Sequence, residues 1–364
     1  MDKRILEIDV LKGVGICMVL INHSYDYVYT SALLFKLSRS CVQLLLFCAG
    51  VNMFLKIRKL LAADRPPRPT SSWQATRLWG PQMLRIMVPY VIFDAGFVVL
   101  WKKTLDLSLF WKHLWGFDIA APVYFIPVYL SLVFAAPFFY WAVMRFPGRL
   151  WTLCLCVLSA GAFLVCARRT YVLPIYGAGQ YLLGASYGWV FVLGMIWGRY
   201  LHRRGTPVQG SWRRMAAAAA LLAGWIVTLE LFPEAHARLE RLLPPLGGNP
   251  PGPDSLLEGS LIIWNVWELT ACLKEKWGER ARAWLRPLAA CGRYSLYIFL
   301  WHMFVKAGWN QCIAAAGFPK QSVFYAIPFY LGSTVLVVLG KKGVDYLKQD
   351  MQDVLAGKKG CEKR

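Results

Sequence analysis

The sequence has few charged residues for its length and no polar stretch long enough to form a separate soluble domain. Only 17% of its 364 residues are charged, whereas 57% are hydrophobic and 15% are aromatic. So low a charged fraction excludes an ordinary soluble fold and is typical of a chain surrounded by lipid. Because helices satisfy their own backbone hydrogen bonds in a bilayer, we expect an all-α, polytopic membrane helix bundle.

The ten cysteines lack CxxC pairs and have no histidines near them at the spacing of metal ligands. Most of them lie inside apolar runs, as Cys17, Cys48 and Cys291 do. We interpret them as small apolar side chains. We expect no metal site and no tightly bound cofactor.

Acidic residues are scarce, with 20 Asp and Glu against 41 Lys and Arg, which gives a net charge of +21. A nucleic-acid-binding protein would interleave its basic residues with aromatic ones on an exposed surface. Here the basic residues lie between apolar runs. The excess of positive charge therefore predicts no nucleic-acid partner, and it is consistent with contact with anionic membrane lipids.

Ten apolar runs, separated by polar, Pro-rich or basic breaks, are candidate membrane spans. They are Val10 to Tyr29, Ser40 to Leu55, Pro81 to Trp101, Ala120 to Val143, Leu150 to Cys166, Ile175 to Tyr200, Met215 to Phe232, Ser255 to Leu273, Ala289 to Trp309 and Ser322 to Leu339. No internal repeat is visible, which weakens the interpretation as an inverted-repeat transporter without excluding it.

Basic residues are concentrated in alternate loops, such as Lys56 to Arg77, Arg199 to Arg214 and Lys274 to Arg286. Positive residues are retained on the cytoplasmic side of a membrane. The pattern therefore predicts about ten transmembrane helices with both termini in the cytoplasm. We expect residues 1–345 to form a single membrane domain and residues 346–364 a basic cytoplasmic tail.

The first span carries an unusual set of polar residues. Lys12 and His23 are eleven positions apart, which is close to three helical turns, so both lie on one face about 16 Å apart along the axis. Asn22 and Asp26 lie near His23 on the same stretch. The alternative interpretation of Lys12 is a lysine near the membrane interface that extends its ammonium group into the water. An intramembrane histidine can join two helices by a hydrogen bond, relay protons or act as a base.

Other acidic residues lie in or near the predicted spans without an assigned role. They are Asp94, Glu230, Glu258 and Glu268. Glu258 and Glu268 are ten positions apart on the eighth span, close to one face, and could line a cavity for an acceptor. The water-exposed ends of spans explain Glu230 and Glu258 equally well.

Five segments, in order along the chain, share features with a known family. In the first, the basic residue Lys12 is separated by ten positions from His23. The other four are Phe47-Cys48-Ala49-Gly50, the segment from Leu84 to Tyr90 with Arg85 and Pro89, Tyr124-Phe125-Ile126-Pro127, and the segment from Gly292 to His302. Together they resemble the acyltransferase 3 family of bacterial integral membrane O-acyltransferases. The resemblance extends over nearly the whole chain.

This resemblance implies transfer of an acyl group, with acetyl as our first expectation, from cytoplasmic acyl-CoA to a hydroxyl of a glycan or lipid-linked saccharide. It also implies a location in the bacterial cytoplasmic (inner) membrane. By the same resemblance, His23 is the catalytic residue, and Lys12 and Arg85 bind the acyl donor. Supporting roles fall to Asp9, Asn22, Asp26 and His302.

The sequence departs from the family pattern at two positions. Gln82 stands where the family often has the first of two arginines, so we expect donor binding to depend on Arg85, Arg77 and their neighbours. Ala49 replaces a serine and removes any role for its hydroxyl. For His302, which has apolar neighbours, we place packing or hydrogen bonding ahead of catalysis.

The competing hypothesis is a proton-coupled transporter or flippase without covalent acyl transfer. In it, Lys12, His23 and Asp26 would form a proton or anion relay. Acyl-CoA hydrolysis or acyl transfer by the purified protein discriminates between the two hypotheses.

Overall fold

The structure is a computed structural model that describes residues 4–24, 32–63, 76–101, 103, 105–145, 148–172, 184–205, 208–232, 234, 251–317 and 323–355. Within these ranges the chain is helical and contains no strand, which confirms the predicted all-α class. The helices are α1 Leu6–Asn22, α2 Ala32–Ser38, α3 Cys41–Ala63, α4 Trp79–Trp101, α5 Leu107–Gly116, α6 Phe125–Arg145, α7 Arg149–Val172, α8 Tyr187–Arg204, α9 Trp212–Leu231, α10 Pro253–Arg293, α11 Ser295–Ala315, α12 Val323–Leu331 and α13 Val337–Leu355.

Six helical stretches in the described chain are long and apolar enough to cross a membrane. They are Leu34–Ala62, Thr76–Trp101, Pro122–Arg145, Trp212–Leu231, Pro253–Arg293 and Tyr325–Leu347. Each coincides with one of the predicted spans, so the chain is a polytopic membrane protein. The other four predicted spans fall on α1, α7, α8 and, for Ala289 to Trp309, on the end of α10 together with α11; positions 25–29 and 175–183 of these spans lie outside the described residues. That these four segments also cross the membrane, and that the chain therefore has ten spans, stays a prediction.

The long helix α10 bends at Gly278. This residue has φ 52° and ψ −121°, inside a stretch that is otherwise helical. A residue without a Cβ adopts this conformation at little cost. Residues 279–293 consequently leave the direction of the first part of α10 and pack against α1.

Two glycines allow α1 and the last part of α10 to touch backbone to backbone. A Cβ on Gly292 would overlap the carbonyl oxygen of Asp9, and one on Gly13 would overlap that of Leu288. Small residues at such positions allow membrane helices to approach closely. The contact fixes the polar N-terminal half of α1 beside the segment that follows Gly278.

A second close crossing joins α3 and α8. A Cβ on Gly50 would overlap the carbonyl oxygen of Phe191, and one on Gly194 would overlap that of Phe47. Each helix therefore presents a glycine to the backbone of the other, and the pair fixes the position of α3.

We expect Gly194→Ala to destabilise the protein by about 1 to 3 kcal/mol, because the added methyl group forces α3 and α8 apart. The measurement is the midpoint of thermal unfolding in detergent. Gly224→Ala on α9 is the matched control, since nothing lies within 4 Å of a Cβ at that position. Alanine there should leave stability unchanged or raise it by up to about 1 kcal/mol. Equal midpoints for the two variants would contradict the close crossing.

Candidate active site

A cavity of about 430 Å³ lies among α1, α3, α4, α6 and the start of α11. We call it the central cavity. Its cationic lining residues are Arg4, Lys12, Lys56, Arg85 and Arg293, and its acidic one is Asp9. The described lining is thus strongly positive, which suits an anionic ligand.

Helical spacing directs these side chains into the central cavity. Asp9 and Lys12 are three positions apart on α1, and Asn52 and Lys56 are four positions apart on α3, so each pair shares a helix face. The structure therefore places two of the residues predicted for the site, Lys12 and Arg85, in one cavity. Asp9, predicted as a supporting residue, lies beside them.

Lys56 also belongs to the site, although no motif in the sequence indicated it. Its Nζ donates to Oε1 of Gln82 at 3.0 Å, and both residues line the central cavity. The resemblance predicts an arginine at the position of Gln82, and here the cation beside that position is a lysine of α3. Arg77, for which the sequence also predicted a part in donor binding, does not line this cavity.

The central cavity reaches Phe299 on α11 and Phe125 on α6, whose ring centroids are 4.8 Å apart. The carbonyl oxygen of Phe299 accepts a hydrogen bond from Nδ1 of His302 at 2.7 Å. A residue that lines the cavity thus also holds a buried histidine, although neither His302 nor His23 lines the cavity itself.

His302 faces His23. The two ring centroids are 5.0 Å apart, and the rings are tilted by 43°. His302 is fully buried, and its Nε2 has no hydrogen-bond partner in the described part of the chain. Because Nδ1 donates to a carbonyl, Nε2 is the nitrogen with the lone pair in the neutral ring. The structure therefore brings together two histidines that are far apart in the sequence.

The end of α1 is held at the same place. The hydroxyl of Ser24 donates to the carbonyl oxygen of Ile21 at 2.8 Å and lies 2.7 Å from the hydroxyl of Tyr330 on α12. His23 follows the last helical residue, Asn22, and its backbone N–H donates to Val19 at 3.1 Å. These contacts fix the direction in which α1 presents His23. Asp26 lies outside the described residues.

Glu258 and Glu268 do not line the central cavity. Glu258 accepts a hydrogen bond from Ser40 at 3.1 Å. Glu268 pairs with Arg214 at 2.7 Å and accepts from the backbone N–H of Ser211 at 3.1 Å. Both carboxylates therefore join α10 to neighbouring segments.

Comparison with known proteins identifies a family for most of the chain. A family model described as an acyltransferase domain matches residues 5–340. No curated protein and no solved structure matches. The matched residues run from the start of α1 into α13 and include both histidines. The chain therefore belongs to the acyltransferase 3 family of membrane acyltransferases.

Proposed function

We propose that the protein is an O-acyltransferase of the bacterial cytoplasmic membrane. It moves an acyl group, acetyl in our proposal, from cytoplasmic acyl-CoA to a hydroxyl of a cell-surface or exported glycan or of a lipid-linked saccharide. One observation carries the proposal. Phe299 lines the cation-lined cavity, and its carbonyl oxygen accepts a hydrogen bond from His302, whose ring lies against that of His23.

The central cavity suits the donor because acyl-CoA carries a diphosphate and a phosphate monoester. Arg85 presents a guanidinium, which binds phosphate oxygens in pairs, and Lys12 and Lys56 add point charges. Lys12 lies about 16 Å along α1 from His23. A diphosphate held at the level of Lys12 leaves the extended pantetheine arm to carry the thioester toward the histidines.

The chemical step needs one base. In the proposed reaction, His23 accepts the proton of the acceptor hydroxyl while that oxygen attacks the thioester carbonyl carbon. The carbon–sulfur bond breaks, and the CoA thiolate leaves and takes the proton from His23. An ester and CoA are formed, and no other reactant is consumed. His302 supports the orientation of the His23 ring through their contact.

The function is tested with the purified protein in vesicles, supplied with acetyl-CoA labelled in the acetyl group. The acceptor is the lipid-linked oligosaccharide fraction of the producing cells. We expect release of the CoA thiol and an alkali-labile label on the saccharide. A transporter would leave the thioester intact. An intact thioester with both substrates present would therefore contradict the proposal.

Orientation in the membrane gives a separate prediction. Leu105, between α4 and α5, is 85% exposed, and the Glu279 side chain just beyond the Gly278 bend is 82% exposed. With both termini in the cytoplasm, Leu105→Cys should react with an impermeant thiol reagent in intact cells, in a background without the native cysteines. Glu279→Cys should react only after the cells are opened. The reverse pattern would invert the proposed topology.

A further inference from the structure

A second cavity, of about 680 Å³, adjoins the central one. It lies between the start of α1, the end of α8 and the two parts of α10 on either side of Gly278. Arg4, Asp9 and Arg293 line both cavities. The two cavities therefore adjoin each other at these residues.

The second cavity has basic residues of its own. Lys274 pairs with Glu7, and Arg282 pairs with Glu279 three positions before it. Arg286 also lines the cavity, and it forms no ion pair with any residue that the structure describes. An arginine without a carboxylate partner is available to bind the oxygens of a phosphate.

Trp267 gives an independent indication of a ligand. It lines the second cavity, is only 3% exposed, and its indole N–H has no acceptor among the described residues. Buried donors without a partner are rare in folded proteins. A ligand that brings hydrogen-bond acceptors into this cavity would satisfy the indole.

We infer that the second cavity binds the 3′-phosphoadenosine end of acyl-CoA, with Arg286 on the 3′-phosphate, while the diphosphate lies among the cations of the central cavity. The inference rests on the proposed function. A donor whose thioester reaches His23 has its nucleotide at the opposite end of the molecule. The second cavity adjoins the central one at Arg4, Asp9 and Arg293, is lined by residues of the 279–293 segment, and does not include Phe299 in its lining.

The test compares the affinities of acetyl-CoA and 3′-dephospho-acetyl-CoA for the wild type and for Arg286→Ala, in detergent free of phospholipid. The wild type should prefer acetyl-CoA by roughly 10-fold or more, because the 3′-phosphate makes a charge-assisted hydrogen bond. Arg286→Ala should bind both donors about equally, and Arg286→Lys should retain part of the preference. Arg280→Ala is the matched control, since Arg280 is on the same segment but lines neither cavity. It should behave as the wild type does.

The outcomes separate the two proposals. An Arg286→Ala variant that keeps the full preference overturns the nucleotide site and leaves the proposed function standing. Failure of the wild type to bind either donor overturns the proposed function as well. Phosphatidic acid, whose headgroup is also a phosphate monoester, is then added as a competitor. Phosphatidic acid could bind through Arg286 while the preference for acetyl-CoA over 3′-dephospho-acetyl-CoA is the same with and without that arginine. In that case the second cavity is a lipid-headgroup site and the inference is wrong.

Discussion

His23→Ala should slow acyl transfer by about 10²- to 10⁴-fold, because the variant lacks the base that takes the proton of the acceptor hydroxyl. Acetyl-CoA affinity should stay close to that of the wild type, since the cations that bind the donor in our proposal line the central cavity, which His23 does not line. The measurement is the rate of label transfer at equal amounts of folded protein in vesicles.

The matched control for this prediction is His113→Ala. His113 lies on α5, where its Nδ1 is 2.6 Å from Asp118, and it does not line the central cavity. This variant should transfer the acyl group at nearly the wild-type rate. If His23→Ala were as active as His113→Ala, the assignment of His23 would be wrong, and His302, whose ring faces it, would be the next residue to test.

Lys12→Ala and Arg85→Ala should each weaken acetyl-CoA binding by about 10- to 100-fold. Each removes a charged hydrogen bond to phosphate worth about 1.5 to 3 kcal/mol. The dissociation constant is measured by calorimetry in detergent. The effect should shrink as salt rises, because the bonds are between charges in a partly open cavity.

Arg77→Ala is the control for these two variants, because Arg77 is close to Arg85 in the sequence but does not line the central cavity. Its affinity for the donor should match that of the wild type. A loss with Arg77→Ala as large as with Arg85→Ala would point to a general effect of surface charge. Unchanged affinity in both Lys12→Ala and Arg85→Ala would move the donor site elsewhere.

The sequence alone predicted the class of fold and the face of the first helix that carries Lys12 and His23. Apolar runs and the scarcity of charge predicted a helical membrane protein, because the cost of burying charge in lipid is visible in composition alone. The three-turn spacing of Lys12 and His23 follows from helix geometry within a single segment. Both conclusions depend only on residues that are close together in the chain.

The rest of the site depends on contacts between distant segments, which a single sequence does not report. The pairing of His23 with His302 requires the end of α1 to lie beside the interior of α11. The contact of Lys56 with Gln82 requires α3 to lie beside α4. The sequence suggested Glu268 as a residue of an acceptor cavity, but its carboxylate pairs with Arg214, which lies on α9. Gln82, in place of the arginine that the resemblance predicts, indicated that a cation was missing from α4. The sequence alone did not indicate that Lys56 on α3 provides one.

The packing of α1 against α10 also limits the order in which this protein can mature during its synthesis. Glu7 on α1 pairs with Lys274, which the ribosome adds 267 residues later. At ordinary rates of translation this delay is roughly 10 to 50 seconds. Over that time α1 is already made while the carboxylate of Glu7 has no partner, and both cavities lack the wall formed by Arg293. A nascent chain released before α10 would therefore contain His23 and Lys12 but no finished donor site.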